Sequence, residues 1–373
     1  MRVTLSLLFL VVTNFLTAQS YYLFVGTYTD SGSKGIYVYE FNSTSGKARW
    51  LSNTENIINP SFLVIAPNKK IIYAATETAL KNAGSISAFA FDRTTGKLTF
   101  VNKQPSGGDN PAYVTINKNN KWVFCGNYTG GSLSAFKINS DGSLQPLNQN
   151  IKHSGNSIDK LRQEKPHVHS TVFSPDEKYL FVPDLGIDKV MTYKFTATSA
   201  KPLQPAKRPF IAVEPGSGPR HLTFHANGKW AYLVGEISGT VDAFTYKKGT
   251  LTFKQRIATH PPGFQGTIGS ADIHISPDGN FLYTSNRGDE NTITIFAVDA
   301  NTGLLTLKGF QPTLGIKPRN FTIDPSGNFL LVANQDTNNI VVFKRDRQTG
   351  LLRVTGEQIK VPTPVCLQMM EKD

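Results

Sequence analysis

Only two cysteines occur in 373 residues, so no disulfide framework holds the chain together. Charged residues make up 18%, below the roughly 25% of ordinary soluble domains, which excludes a disordered, charge-rich polymer. Beyond the N-terminal segment, no apolar run reaches the ~18 residues of a membrane helix. No amphipathic helix of ordinary length can be read either. Glycine (31) and proline (21) stand near average usage, so collagen-like and low-complexity chains are excluded. What abounds is aromatic: 24 Phe, 13 Tyr and 3 Trp in a chain long enough to bury a large core. The net charge of +12 raises the question of nucleic acid or an acidic surface as a partner.

The N-terminus has the pattern of a secretory signal. Arg2 is followed by an apolar run over residues 3–12, and Thr17 and Ala18 supply small residues for cleavage. No cysteine lies near that point, so no lipoprotein is expected. The expected organisation is a signal peptide over 1–18 and one domain over 19–373, exported to the periplasm or secreted. Cys125 and Cys366 lie in apolar strand patterns and are expected to be buried thiols.

A repeat organises the rest. PRHLTFHANGKWAYLVGE begins at Pro219, SADIHISPDGNFLYTSNR at Ser270 and PRNFTIDPSGNFLLVANQ at Pro318. Related phrases begin at Pro60, Pro111 and Val168, and a half copy, PVCLQM, begins at Pro364. The missing half is YYLFVGTYT at residues 21–29. Each unit continues through a further alternating strand, a turn rich in Asp, Asn and Gly, and another strand. Four-strand repeats of about 40–50 residues indicate a β-propeller. The fold class is therefore all-β: a seven-bladed propeller of four antiparallel strands per blade. Its last blade is closed by the N-terminal outer strands and the C-terminal inner strand, which removes an open sheet edge. The extra segment Lys152–Lys165 precedes the third blade and reads as a surface loop.

In such a blade the start of the first strand and the end of the second meet at one mouth of the central channel. The second residue of each repeat gives Ser61, Ala112, His169, Arg220, Ala271, Arg319 and Val365. The residue closing the second strand gives Glu77, Tyr128, Leu185, Glu236, Arg287, Gln335 and Tyr28. The residue before it includes Asn127, Asp184 and Asn286. A purely structural column would repeat its chemistry, whereas these change from blade to blade. Charge gathers in the third to sixth blades at His169, Asp184, Arg220, Glu236, Arg287 and Arg319. Arg220 and Glu236 can pair within one blade. Arg287 and Arg319 then remain, and guanidinium groups around a cavity suit a carboxylate or phosphate.

Competing signals are weaker. His221 and His274 lie in inner strands as packing residues. His167 and His169 have HxH spacing, but no acidic cluster completes a metal site. No glycine-rich phosphate loop or GxSxG elbow occurs. The basic residues are spread through turns such as Asn68–Lys70 and Lys344–Arg347, without the basic stripe of a nucleic-acid binder.

The strings GPRHLTFH (218–225), ADIHISPDGNFLYTSNRG (271–288) and PRNFTIDPSGNFLLVANQ (318–335) resemble the seven-bladed propeller lactonase family. Its members include 6-phosphogluconolactonases and, more distantly, the carboxy-muconate lactonizing enzyme. The resemblance spans residues 21–369 and implies a carboxylic-ester hydrolase acting on a lactone, without metal or organic cofactor. By match to the muconate branch it implies a catalytic set of His169, Arg220, Glu236 and Arg287. The columns add Asp184, Asn286, Arg319, Gln335, Asn127, Tyr128 and Glu77 as substrate-binding candidates, with Asp184 placed to orient His169. The expected partner is an anionic lactone or sugar acid, with no nucleic acid, in a monomer or simple dimer. An export signal fits a periplasmic or secreted sugar lactone better than a phosphorylated intracellular one. A muconate-type cycloisomerase and a non-catalytic propeller that binds a sugar acid or protein are the alternatives.

Overall fold

In a computed structural model, residues 19–372 are described apart from Ala79 and Asn82. The signal peptide expected over residues 1–18 lies outside them. Seven four-stranded antiparallel sheets are present, and the one regular helical turn among the described residues is the three-residue 3-10 turn Leu185–Ile187. The fourth blade shows the plan: Pro219–Phe224 innermost, then Trp230–Gly235, Thr240–Lys247 and Thr250–Ala258 outermost. The seventh blade is the split one. Its inner strand Pro364–Glu371 pairs with Ser20–Thr27, which is followed outward by Tyr37–Asn42 and Ala48–Asn53.

Burial follows position in the blade. Second strands such as Ile71–Thr76, Trp230–Gly235 and Phe329–Asn334 are buried at every residue, because neighbouring blades cover both faces. Outermost strands such as Lys97–Pro105 are largely exposed. The core therefore consists of seams between blades, as where Phe24 and Tyr22 meet Phe91 edge-on. Burying each such side chain contributes about 1.5–3 kcal/mol. The two cysteines are free and buried in these seams.

A polar clasp recurs between blades. Tyr73, Tyr232 and Tyr283, on second strands, donate their hydroxyls to the carbonyls of Gly142, Gly303 and Gly350 in the outer turn of the next blade, at 2.8, 2.9 and 2.7 Å. Glycine is required at Gly303: its φ is +74°, and a Cβ would stand 2.4 Å from the Trp230 ring.

One local device positions the channel mouth. In most inner strands the register slips at the second residue of the repeat: Pro219 pairs with Gly235 and His221 with Val234, so Arg220 is left without a partner. The same slip isolates Ser61, Ala112 and Arg319. A β-bulge of this kind re-aims the extra side chain, here toward the channel. Just before the strands, Asn59, Asn110, Gly218, Lys317 and Thr363 all take positive φ. Their carbonyls accept the amides of Glu77, Tyr128, Glu236, Gln335 and Tyr28. The second column is thus tied to the base of the first.

Candidate active site

Glu236 is the hub of the channel mouth. Its Oε2 accepts from Arg220 Nε at 2.7 Å and lies 3.0 Å from Arg287 Nη2. Its Oε1 accepts from Arg162 Nη2 at 2.5 Å. Burial pushes this carboxyl upward, but Arg287 and Arg220, then His169 and Arg162, outweigh it and hold it well below the usual carboxylate range. Arg220 is 2% exposed and also donates to the Ala271 carbonyl. Burial, with the Arg287 charge beside it, lowers its pKa to about 9, so it stays charged at neutral pH.

His169 stands on the third blade, where the ladder is interrupted. Only Val172–Phe173 forms regular inner strand there. Pro183 lies on the facing strand, and with no N–H it cannot complete a two-way pair with this segment; its carbonyl takes the His169 amide at 3.1 Å. The His169 ring reaches the channel with Nε2 3.9 Å from Glu236 Oε2. Its Nδ1 is sealed from solvent and has no hydrogen-bond partner among the described residues, so Nε2 is the nitrogen a substrate can meet. Burial, then Arg220 and His221, depress its pKa well below 6.5 against the opposing pull of Glu236. The ring is therefore neutral at physiological pH.

The opposite wall carries a second, smaller group. Glu77 Oε2 accepts the Tyr28 hydroxyl at 2.8 Å and lies 3.9 Å from Arg319 Nη2, and that guanidinium stands over the Tyr28 ring at 5.5 Å. Between the walls is a cavity of about 210 Å³ lined by Tyr28, Glu77, Asn110, Ala112, Tyr128, Arg162, His169, Glu236, Arg287 and Arg319. Below it the channel is filled by rings: Phe62 stacks on Tyr113 at 4.0 Å, and both meet His221 edge-on. The result is a cup with three guanidinium groups, of Arg162, Arg287 and Arg319, and two carboxylates in its wall.

A polar chain runs down from the cup. Arg220 Nη1 lies 3.3 Å from His221 Nε2, and His221 Nδ1 lies 2.8 Å from Asp272 Oδ1. Asp272 Oδ2 then meets His274 Nε2 at 2.8 Å and also accepts from Asn320. Because a carboxylate only accepts, Asp272 fixes the His221 proton on Nδ1 and leaves the Nε2 lone pair for Arg220.

The structure brings His169, Arg220, Glu236 and Arg287 together, with Tyr128, Glu77 and Arg319 on the same cup. Four other sequence candidates are placed elsewhere. Asn127 donates to Ser132 and Ser134 Oγ within its blade, and Asn286 to Thr294 Oγ1 of its blade and the Thr259 carbonyl in the connection from the preceding one, so both are structural latches. Asp184 does not orient His169. Its carboxylate accepts the His167 amide at 2.7 Å and the Gly186 amide, and it meets His153 Nδ1 at 2.7 Å. Gln335 keeps its amide on the Lys317 carbonyl and lines no part of the cup. For Asn127, Asn286 and Asp184 the reason is the strand period of two: if Glu236 and Arg287 face the channel, their predecessors face the blade. His167 stacks on Tyr128 at 4.6 Å and bonds its carbonyl. Among the described residues no group of three or more His, Cys, Asp or Glu is placed to hold a metal.

Sequence reasoning missed Arg162 and Asn110. Arg162 lies in the segment expected to be a surface loop. That segment is largely exposed, as a surface loop should be, but it also carries Arg162 to the cup as a strap, and its unusual length was the one signal of this.

A seven-bladed propeller with one charged, ring-floored cup defines the class. The chain matches the model of the lactonase family of seven-bladed β-propellers over residues 22–369, and it belongs to that family. It is 44% identical over 349 residues to a 6-phosphogluconolactonase of Formosa agariphila, covering 93% of this chain and 99% of that one. A solved structure from Bacteroides fragilis superposes with a TM-score of 0.91 at 43% identity, covering 94% of this chain and 98% of the other. The periplasmic gluconolactonase of Pseudomonas aeruginosa superposes at 0.89 with 36% identity, covering 94% and 99%.

Proposed function

We propose that this protein hydrolyses a sugar-acid lactone of the gluconolactone type outside the cytoplasm. The observation that carries the reading is the convergence of a neutral His169, a fully ionised Glu236 and the Arg287 guanidinium on one small cup, with Arg220 bonded to Glu236 behind its wall. At about 210 Å³ the cup is smaller than the roughly 300–1,000 Å³ of drug-sized sites and suits a single sugar ring.

Hydrolysis needs a base for water and donors for the oxyanion. Both oxygens of Glu236 are occupied by guanidinium groups, whereas His169 Nε2 stands 3.9 Å from Glu236 Oε2, beyond hydrogen-bond distance. His169 is therefore assigned as the base. Water oxygen bonds to the lactone carbonyl carbon as its proton passes to Nε2, and Arg287 stabilises the oxyanion. The ring carbon–oxygen bond then breaks, and the imidazolium returns its proton to the departing alkoxide. The product is the open hydroxy acid. Glu236, 3.9 Å away, stabilises the transient imidazolium.

The test is hydrolysis of gluconolactone and 6-phosphogluconolactone by the mature protein, followed by acid release. His169→Ala is expected to lower the rate by about 10²–10⁴-fold, the span of general-base contributions, with Glu236→Gln also impaired. Unchanged rates in both variants remove this mechanism. The extracytoplasmic location is supported by the N-terminal pattern and by likeness to a periplasmic protein. Cell fractionation, with N-terminal sequencing expected to begin near Gln19, tests it.

A further inference from the structure

The strap over the cup is a built element. Gln163 is fully buried, and its side chain donates to the Leu185 carbonyl at 2.9 Å. Its amide donates to the Asp159 carbonyl at 2.8 Å. The Asp159 carboxylate in turn accepts the amides of Leu161 and Arg162 at 2.9 and 3.1 Å. These bonds fix the strap backbone at the point where Arg162 leaves it.

The Arg162 side chain is placed differently from the other guanidinium groups. It is 45% exposed, whereas those of Arg220 and Arg287 are 2% and 12% exposed. It reaches Glu236 through one nitrogen only and also meets the Tyr128 hydroxyl, both at the mouth of the cup. Arg162 is also the only side chain among the described residues bonded to Glu236 Oε1, since Arg220 and Arg287 both take Oε2. The groups facing Glu236 are thus Arg162 from the strap, Arg220 and Arg287 from the fourth and fifth blades, and His169 from the third. Of these, only Arg162 can turn outward without dismantling a blade. A half-exposed ion pair is weak, and a bidentate guanidinium contact to an anion is stronger.

We infer that Arg162 is the specificity residue of the cup: it grips the phosphate or carboxylate substituent of an anionic sugar lactone at the mouth and, in turning to it, releases Glu236 Oε1. An uncharged lactone leaves Arg162 on Glu236. Discrimination between charged and uncharged sugars then resides in a residue outside the propeller repeat. This inference rests on the lactonase reading, so its test uses ligands that the enzyme does not turn over.

Glucose 6-phosphate and glucose share a ring and differ in the anion. Calorimetry on the mature protein is expected to show glucose 6-phosphate bound at least about tenfold more tightly, the scale of a charge-assisted fork. Arg162→Ala should collapse that ratio while glucose affinity is kept, and Arg162→Lys should restore part of it. Melting curves establish that each variant folds. The inference is overturned if the wild type shows no preference, if Arg162→Ala leaves the ratio intact, or if both ligands weaken together. If the ratio collapses but no lactone is hydrolysed, the anion site stands and the lactonase reading fails.

Discussion

His221 and Asp272 come from adjacent blades, yet Nδ1 of one lies 2.8 Å from Oδ1 of the other beneath the cup. Through that bond Asp272 decides which His221 nitrogen carries the proton, and so whether Nε2 can accept from Arg220. Asp272→Asn is expected to lower kcat/KM by about 10–100-fold, the usual loss when an outer partner of a functional group is removed. Steady-state kinetics with a melting curve checks it. A near-normal rate in a folded variant would mean that Glu236 and the Ala271 carbonyl aim Arg220 unaided.

The pH profile of hydrolysis should lack a limb at the ordinary histidine value. Burial, Arg220 and His221 hold His169 neutral well below 6.5. The profile of kcat/KM is therefore expected to stay flat as pH falls through 6.5 and to drop only at lower pH. A limb at 6.5 would mean that the titrating base is not this buried ring.

Stability should respond to pH in the same region. Burial and the Arg220 charge lower the His221 pKa from 6.5 to about 4. A depressed folded-state value contributes stability that is complete above pH 6.5 and is lost as pH falls toward 4. Asp272 is also depressed, since His274 and His221 outweigh its burial, and its contribution is lost at still lower pH. His274 has the opposite sign. Asp272 raises its pKa against burial, so its contribution is complete below 6.5 and declines as pH rises through the folded value. The melting temperature should fall between pH 6.5 and 4, and fall less in His221→Gln. Thermal melts across that range read both.

The inter-blade clasps give a prediction independent of the site. Tyr232→Phe removes one buried hydroxyl donor and leaves the Gly303 carbonyl without it. The expected cost is about 1–3 kcal/mol, typical of a buried acceptor left unsatisfied. Gly303→Ala should cost more, since the positive φ and the nearby Trp230 ring both oppose a Cβ. Denaturant unfolding of the two variants checks the order.

The propeller and its split blade were legible because the repeat is carried by local pattern: apolar alternation, polar turns, and a half phrase at each end. The ring residues were legible through phase, since the second position of most repeats is the bulge that re-aims side chains such as Arg220 and Arg319. Asn127, Asn286 and Asp184 were misplaced because the same phase was read one residue too far, past the reversal of strand faces. Arg162 could not be phased at all. The strap has no counterpart in other blades, and its approach to Glu236 spans 74 residues of chain.

The seventh blade has a consequence for the order of events in synthesis. Its inner strand, Pro364–Glu371, is made after every other strand of the propeller, and its partner, Ser20–Thr27, before them. Six blades can form in sequence as the chain emerges, but the ring stays an open arc until the final strand arrives. The cup draws residues from blades around the whole circle, Tyr28 and Arg319 among them. Its geometry therefore waits for closure of the ring, and this charged cavity is assembled only when the first and last strands of the propeller meet.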